Sequence, residues 1–115
     1  MDELKRLPAA FYATHRGREP VREWLKELGE ADRRIVGQDI ATAEFGWPVG
    51  MPLSRSLGNE LFEIRSNITD GKIARVLFAV VGNKMVLLHS FVKKAQKTPK
   101  SDLELAKRRL KDIRR

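Results

Sequence analysis

The pattern of apolar and polar positions changes its period midway along the chain. Ala9-Ala10-Phe11-Tyr12-Ala13, just after Pro8, is a first extended candidate that ends in the polar stretch 14–18. Pro20 opens a helix, since a first turn has no use for the amide proton that proline lacks. Val21, Trp24, Leu25 and Leu28 then fall at i, i+3, i+4 and i+7, a single apolar stripe that stops at Gly29. A second helix is expected from about residue 31 to 45, with Ile35, Val36, Ile40 and Ala43 inward and Gly46 as its C-terminal cap. The short connection makes the pair an antiparallel helical hairpin. Trp47-Pro48-Val49-Gly50-Met51-Pro52 is a bend, because it cannot continue a helix.

Beyond the bend, Ile, Val, Phe and Leu gather into three strand candidates, 61–68, 73–81 and 84–92. Asp70-Gly71 and Gly82-Asn83 separate them and suit tight turns, so the three form a meander. A last helix starts near Thr98-Pro99 or Ser101, where Ser101 and Glu104 have capping-box spacing. Leu103, Ala106, Leu110 and Ile113 form its narrow apolar seam. The fold class is α+β, in the order β-α-α-β-β-β-α and as one domain over residues 1–115. A small antiparallel sheet, the N-terminal strand plus the three-stranded meander, carries the helical hairpin on one face and a basic C-terminal helix at its end. The other face is expected to stay partly open.

The 115 residues are 42% apolar and 33% charged, enough for a core and against disorder. With no cysteine, the chain has no disulfide, no Cys-bound zinc and no thiol chemistry. His15 and His89 are its only imidazoles, which speaks against a metal site. The longest apolar run, residues 76–81, is far below the roughly twenty residues of a membrane span. The start, Met1-Asp2-Glu3-Leu4-Lys5-Arg6, does not read as a secretory signal, so a cytoplasmic protein with no membrane partner is expected. Residues 1–92 carry 13 Lys and Arg against 12 Asp and Glu, whereas residues 93–115 carry 10 against 3. The net charge of +8 is thus concentrated in the last fifth of the chain, which suits a polyanion.

Alternation puts Glu63, Arg65 and Asn67 on one face of the first meander strand and the core residues Phe62 and Ile64 on the other, so Arg65 is expected to face outward. Arg75 interrupts the apolar run of the next strand. On the third, His89 is expected to share a face with Met85, Leu87, Phe91 and Lys93, with Lys94 and Lys97 beyond the strand end. Opposed side chains on neighbouring strands stand about 5 Å apart, so Arg65, Arg75 and His89 can converge. Taken singly, Arg65 can be a surface partner of Glu63, His89 a core residue and the lysines a solvated edge. Trp24 and Trp47 read as core and loop anchors. Together the residues permit RNA cleavage without a metal or cofactor. Arginines match phosphate oxygens with their planar fork, and histidine or a crowded lysine moves protons. No P-loop, GxGxxG turn, Ser/His/Asp set or HExxH helix is present.

Several segments carry a resemblance: Gly17-Arg18-Glu19-Pro20-Val21-Arg22-Glu23-Trp24-Leu25; Leu57 with Leu61-Phe62-Glu63-Ile64-Arg65; Arg75-Val76-Leu77-Phe78; Leu87-Leu88-His89-Ser90-Phe91-Val92-Lys93-Lys94; and Gln96-Lys97-Thr98-Pro99, followed by Leu103, Ala106 and Arg109. Together they resemble the HigB-like, phage-type branch of the RelE/ParE toxin superfamily. The resemblance implies the toxin of a type II toxin–antitoxin pair, a ribosome-dependent mRNA endonuclease that blocks translation. Its partners would be mRNA, the 70S ribosome and a HigA-like helix-turn-helix antitoxin. It assigns phosphate stabilisation to Arg65 and Arg75, and RNA binding with proton transfer to Lys93, Lys94 and Lys97, His89 lying in the same segment. Lys100, Lys107 and Arg108 extend the RNA-binding set. Phe62 and Phe78 stand where relatives often carry Tyr or Trp and Tyr. A ParE-like inhibitor of DNA gyrase and an inactive basic module that binds nucleic acid or antitoxin are the competing expectations.

Overall fold

A computed structural model describes residues 4–93 and 98–114 of the chain. Ala9–Phe11 forms strand β1, and Pro20–Glu27 and Glu30–Gly46 form helices α1 and α2. Four strands follow, β2 (Ser54–Gly58), β3 (Leu61–Asn67), β4 (Ile73–Val81) and β5 (Lys84–Lys93), and then helix α3 (Lys100–Ile113). They make one five-stranded sheet in the order β1-β5-β4-β3-β2. The fold is α+β, as the residue pattern implies, with one strand more than expected and a mixed rather than purely antiparallel sheet. The added strand is β2. Its sequence, Ser-Arg-Ser-Leu-Gly, has one large apolar residue and reads as loop, yet its backbone pairs antiparallel with β3. The tight connection makes this possible: Gly58, Asn59 and Glu60 all take positive φ, at 82°, 53° and 66°. β1 runs parallel to β5, with Ala9 opposite Met85 and Phe11 opposite Leu87, and it stops two residues short of its expected end.

The helical hairpin forms where expected, but its termini are closed differently. The Arg33 guanidinium of α2 donates to the carbonyl oxygens of Leu25, Lys26 and Leu28, at 3.1, 3.2 and 2.9 Å. It thereby satisfies the last carbonyls of α1, which a helix end otherwise leaves to water. Gly46 is the last residue of α2 rather than its cap. The N-cap of α3 is Pro99 and makes no side-chain hydrogen bond. Ser101 already lies inside that helix, so the expected capping box does not form.

The two faces of the sheet pack against different partners. Val21 of α1 and Val36, Ile40 and Ala43 of α2 bury Ile64, Val76, Phe78, Met85 and Leu87. Trp47, at the end of α2, meets the Phe62 and Phe78 rings edge-on, with centroids 5.1 and 5.4 Å away. On the other face, Ala106 and Leu110 of α3 cover Leu61, Leu77, Ala79 and Leu88. Part of the face expected to be open is therefore a second core. Arg109 donates to the Leu88 carbonyl oxygen at 2.7 Å, and the Tyr12 hydroxyl donates to Asp112 at 3.2 Å, which fastens α3 to β5 and to the chain just past β1. A bulge sets the last feature that matters for the site. Leu77 pairs with His89 but Phe78 pairs with Leu87, so Leu88 is an extra residue in β5.

Candidate functional site

Beside the core under α3, the same face of the sheet carries a patch of charge. In the register of β3 and β4, Arg65 lies directly opposite Arg75, and Arg75 opposite Phe91 of β5. The neighbouring row runs from Arg55 of β2 through Glu63 and Leu77 to His89. Arg65 and Arg75 thus share a face on adjacent strands, in the register that their convergence requires. Their environments differ. The Arg65 side chain retains 19% of its exposure, whereas that of Arg75 is fully buried. Arg65 keeps the outward access expected of it, whereas Arg75 is enclosed by the protein. α3 begins just past Thr98, and the Thr98 hydroxyl accepts a hydrogen bond from Arg75 Nη1 at 3.1 Å. Burial pulls the Arg75 guanidinium below its ordinary pKa, against the pull of the Glu63 carboxylate, and it stays a cation.

Glu63 is the centre of the patch. It is fully buried, and Arg55 Nε lies 2.8 Å from its Oε1. Arg65 Nε is 3.8 Å from the same oxygen, and Arg75 Nη1 is 3.9 Å from Oε2. The Thr98 hydroxyl donates to Oε2 at 2.8 Å. Three guanidiniums around one carboxylate leave two positive charges in excess. Among the described residues, the Arg65 side chain makes no hydrogen bond, so it is the guanidinium least committed to the protein. An open cleft of about 360 Å³, lined by Asp39, Pro52, Leu53, Arg65 and Asn67, lies beside it.

His89 closes the row on β5. The bulge at Leu88 turns it to the α3 face with Phe91 and Lys93, away from Met85 and Leu87, so the expected sharing of one face by all five is corrected. Its Nε2 lies 2.6 Å from Oδ1 of Asp102 in the first turn of α3, and its ring stacks on Phe91 at 5.6 Å. Two strand spacings separate its backbone from that of Glu63, roughly 10 Å. Lys93 is exposed at the strand end, one row beyond Arg75 on the same face. Lys94 and Lys97 lie outside the described residues. Lys100, the exposed first residue of α3, follows two residues after Thr98, the hydrogen-bond partner of Arg75. Lys107 and Arg108 do not join them, since they sit about 11 Å further along the helix, and Lys107 is 3.7 Å from Glu104. Phe62 and Phe78 pack with Trp47 on the hairpin face, opposite the arginines, so neither can serve this row.

Four residues of the patch went unrecognised as contributors in the sequence. Glu63 reads as a possible partner of Arg65, but nothing in the sequence shows that it is buried and bonded by the Thr98 hydroxyl. Arg55 was hidden with its strand, although its two-residue spacing from Leu57 was a signal, because Leu57 packs under the second core on the same face. Thr98 and Asp102 reach Glu63 and His89 only once α3 has docked. Among the described residues, no group of three or more His, Cys, Asp or Glu side chains could hold a metal ion, and no helix is long and apolar enough to cross a membrane. Residues 23–111, from α1 into the last turns of α3, match the sequence model of a family described as phage-derived protein Gp49-like (DUF891). None of the curated proteins compared with the chain matches it.

Proposed function

Because the chain belongs to the Gp49-like family of phage-derived proteins, a toxin-like family of toxin–antitoxin systems, we propose that it is a HigB-like toxin that cuts mRNA on the ribosome and is held in check by a helix-turn-helix antitoxin. One observation carries the reading: Arg65 and Arg75 face each other across adjacent strands around a single carboxylate that Arg55 also meets, an excess of two positive charges. That excess suits the charge that builds on phosphorus during scission. In the reaction the ribose 2′-oxygen loses its proton and bonds to phosphorus. The bond from phosphorus to the 5′-oxygen breaks, and that oxygen takes up a proton. The products are a 2′,3′-cyclic phosphate and a 5′-hydroxyl.

The groups divide this work by position. Arg65, with access to solvent beside the cleft, contacts the scissile phosphate through its forked end. Arg75 supplies charge from behind and fixes Glu63 and Thr98 in place. His89 is the proton carrier, its ring held by Asp102 through one nitrogen. Lys93 and Lys100 guide the RNA backbone toward the row by charge. The test is to induce the chain alone in growing cells and map message ends by primer extension, with and without translation. Cuts phased to codons and dependent on translation support the reading. Intact messages accompanied by DNA breaks would transfer the protein to the gyrase inhibitors, and unimpaired growth would leave it a binding module.

A further inference from the structure

We infer that Arg55, on the edge strand β2, grips the RNA backbone beside Arg65, and that buried Glu63 is the positioning residue that holds the two side by side. The inference rests on the ribonuclease reading above and adds to it a substrate-contacting residue and the group that sets its geometry. It starts from solvent access. Of the three guanidiniums around Glu63, Arg55 is 31% exposed, Arg65 19% and Arg75 not at all. The two that can touch a ligand directly are therefore Arg55 and Arg65. Both approach the same oxygen, Glu63 Oε1, at 2.8 and 3.8 Å, so their Nε atoms are at most about 6.6 Å apart, the two distances end to end.

The hydrogen-bond inventory points the same way. A guanidinium has five donors, and Arg55 spends its Nε on Glu63, which leaves its two-pronged end for an anion. Glu63 cannot turn to follow a passing cation. Its second oxygen takes the Thr98 hydroxyl at 2.8 Å and faces Arg75 at 3.9 Å, and the whole side chain is out of solvent. A carboxylate so placed bears a large desolvation cost, and an apolar residue of similar size would serve stability as well or better. What it does accomplish is geometric: three like charges, which repel one another, are kept on one patch at the sheet edge.

The experiment compares wild type with Arg55→Ala, Arg55→Lys, Glu63→Gln and the Arg55→Ala/Glu63→Gln double variant. Cleavage of message on programmed ribosomes gives kcat and KM. Binding of a single-stranded RNA whose 2′-hydroxyls are replaced by hydrogen, measured across salt concentrations, counts phosphate contacts. Arg55→Ala is expected to lower kcat/KM on the order of 10- to 100-fold, the worth of one charge-assisted contact. It should also flatten the plot of log affinity against log salt by about 0.7, the share of one phosphate, measured on the folded protein. Arg55→Lys keeps the slope and recovers only part of the rate, having lost the fork. Glu63→Gln lowers kcat/KM in wild type and does so less in the Arg55→Ala background, because part of its action passes through Arg55. If wild type cuts message while Arg55→Ala matches it in rate and salt slope to within about two-fold, the inference is overturned and the ribonuclease reading stands. If wild type itself leaves message on ribosomes intact, the reading falls and the inference goes with it.

Discussion

The two faces of the sheet obey different rules. Under the helical hairpin, Ile64, Val76, Phe78, Met85 and Leu87 form an apolar core in which the buried polar residues of the sheet, Ser54, Ser66 and Ser90, carry no charge. On the opposite side of the same strands, one part is a core under α3 and another holds Arg55, Glu63, Arg65 and Arg75. Phe78 and Leu77 are adjacent in sequence, yet one belongs to the first face and the other borders the second. A folding requirement would have filled both faces alike, since charges removed from water repay their cost only partly. The comparison teaches that stability and chemistry are divided here by the thickness of one sheet.

The sharpest way to break that division is to weaken the apolar face. Phe78→Ala should cost about 3–5 kcal/mol in urea unfolding, the usual penalty for emptying a buried aromatic site. The molecules that remain folded should cleave RNA at the wild-type kcat. Arg65→Ala should do the converse. Cleavage should fall by about two to three orders of magnitude, in the range for losing one preorganised charge-stabilising group. The unfolding free energy should move by no more than about 1 kcal/mol, since the side chain is partly solvated and its one ion pair is long. A variant that melts like wild type and still cuts at full rate would remove Arg65 from the chemistry.

The smallest effect concerns the seam between the N-terminal strand and α3. Burial, reinforced by the hydrogen bond to Asp112 and its charge, raises the Tyr12 phenol above the ordinary tyrosine value of about 10. The folded state thus favours the neutral phenol. Its contribution is complete below the ordinary value and is lost as pH rises through the folded one. Tyr12→Phe should cost about 1 kcal/mol at neutral pH and abolish that alkaline component. Tyr12 is the only tyrosine in the chain, so an ultraviolet titration reads it alone and should show a midpoint above that of free tyrosine.

The residue pattern made the hairpin, the meander and the last helix legible because each is local: period 3.6 in 20–45, alternation with paired turns in 61–92, a seam at 103–113. It left the meeting of Arg65 and Arg75 conditional on register, which is set by the five-residue connection between Asn67 and Ile73 and not by a two-residue turn at Asp70-Gly71. What it hid depends on contacts distant along the chain. β2 has too little apolar content to be noticed and exists because β3 offers it an edge. The bulge at Leu88 reversed the side to which His89 points, and no residue type marks it. Glu63 reads as a surface charge until Thr98, 35 residues later, lies over it.

The position of β5 between β1 and β4 affects how the molecule comes into being. β1 leaves the ribosome early but has no strand to pair with until Met85, Val86 and Leu87 have been made. Thr98 and Asp102, which complete the surroundings of Glu63 and His89, follow later still. Closing such long loops is slow, and vectorial synthesis postpones it until those residues have been made. A nascent polypeptide of this kind therefore holds its charged cluster unassembled until Thr98 and Asp102 have been made.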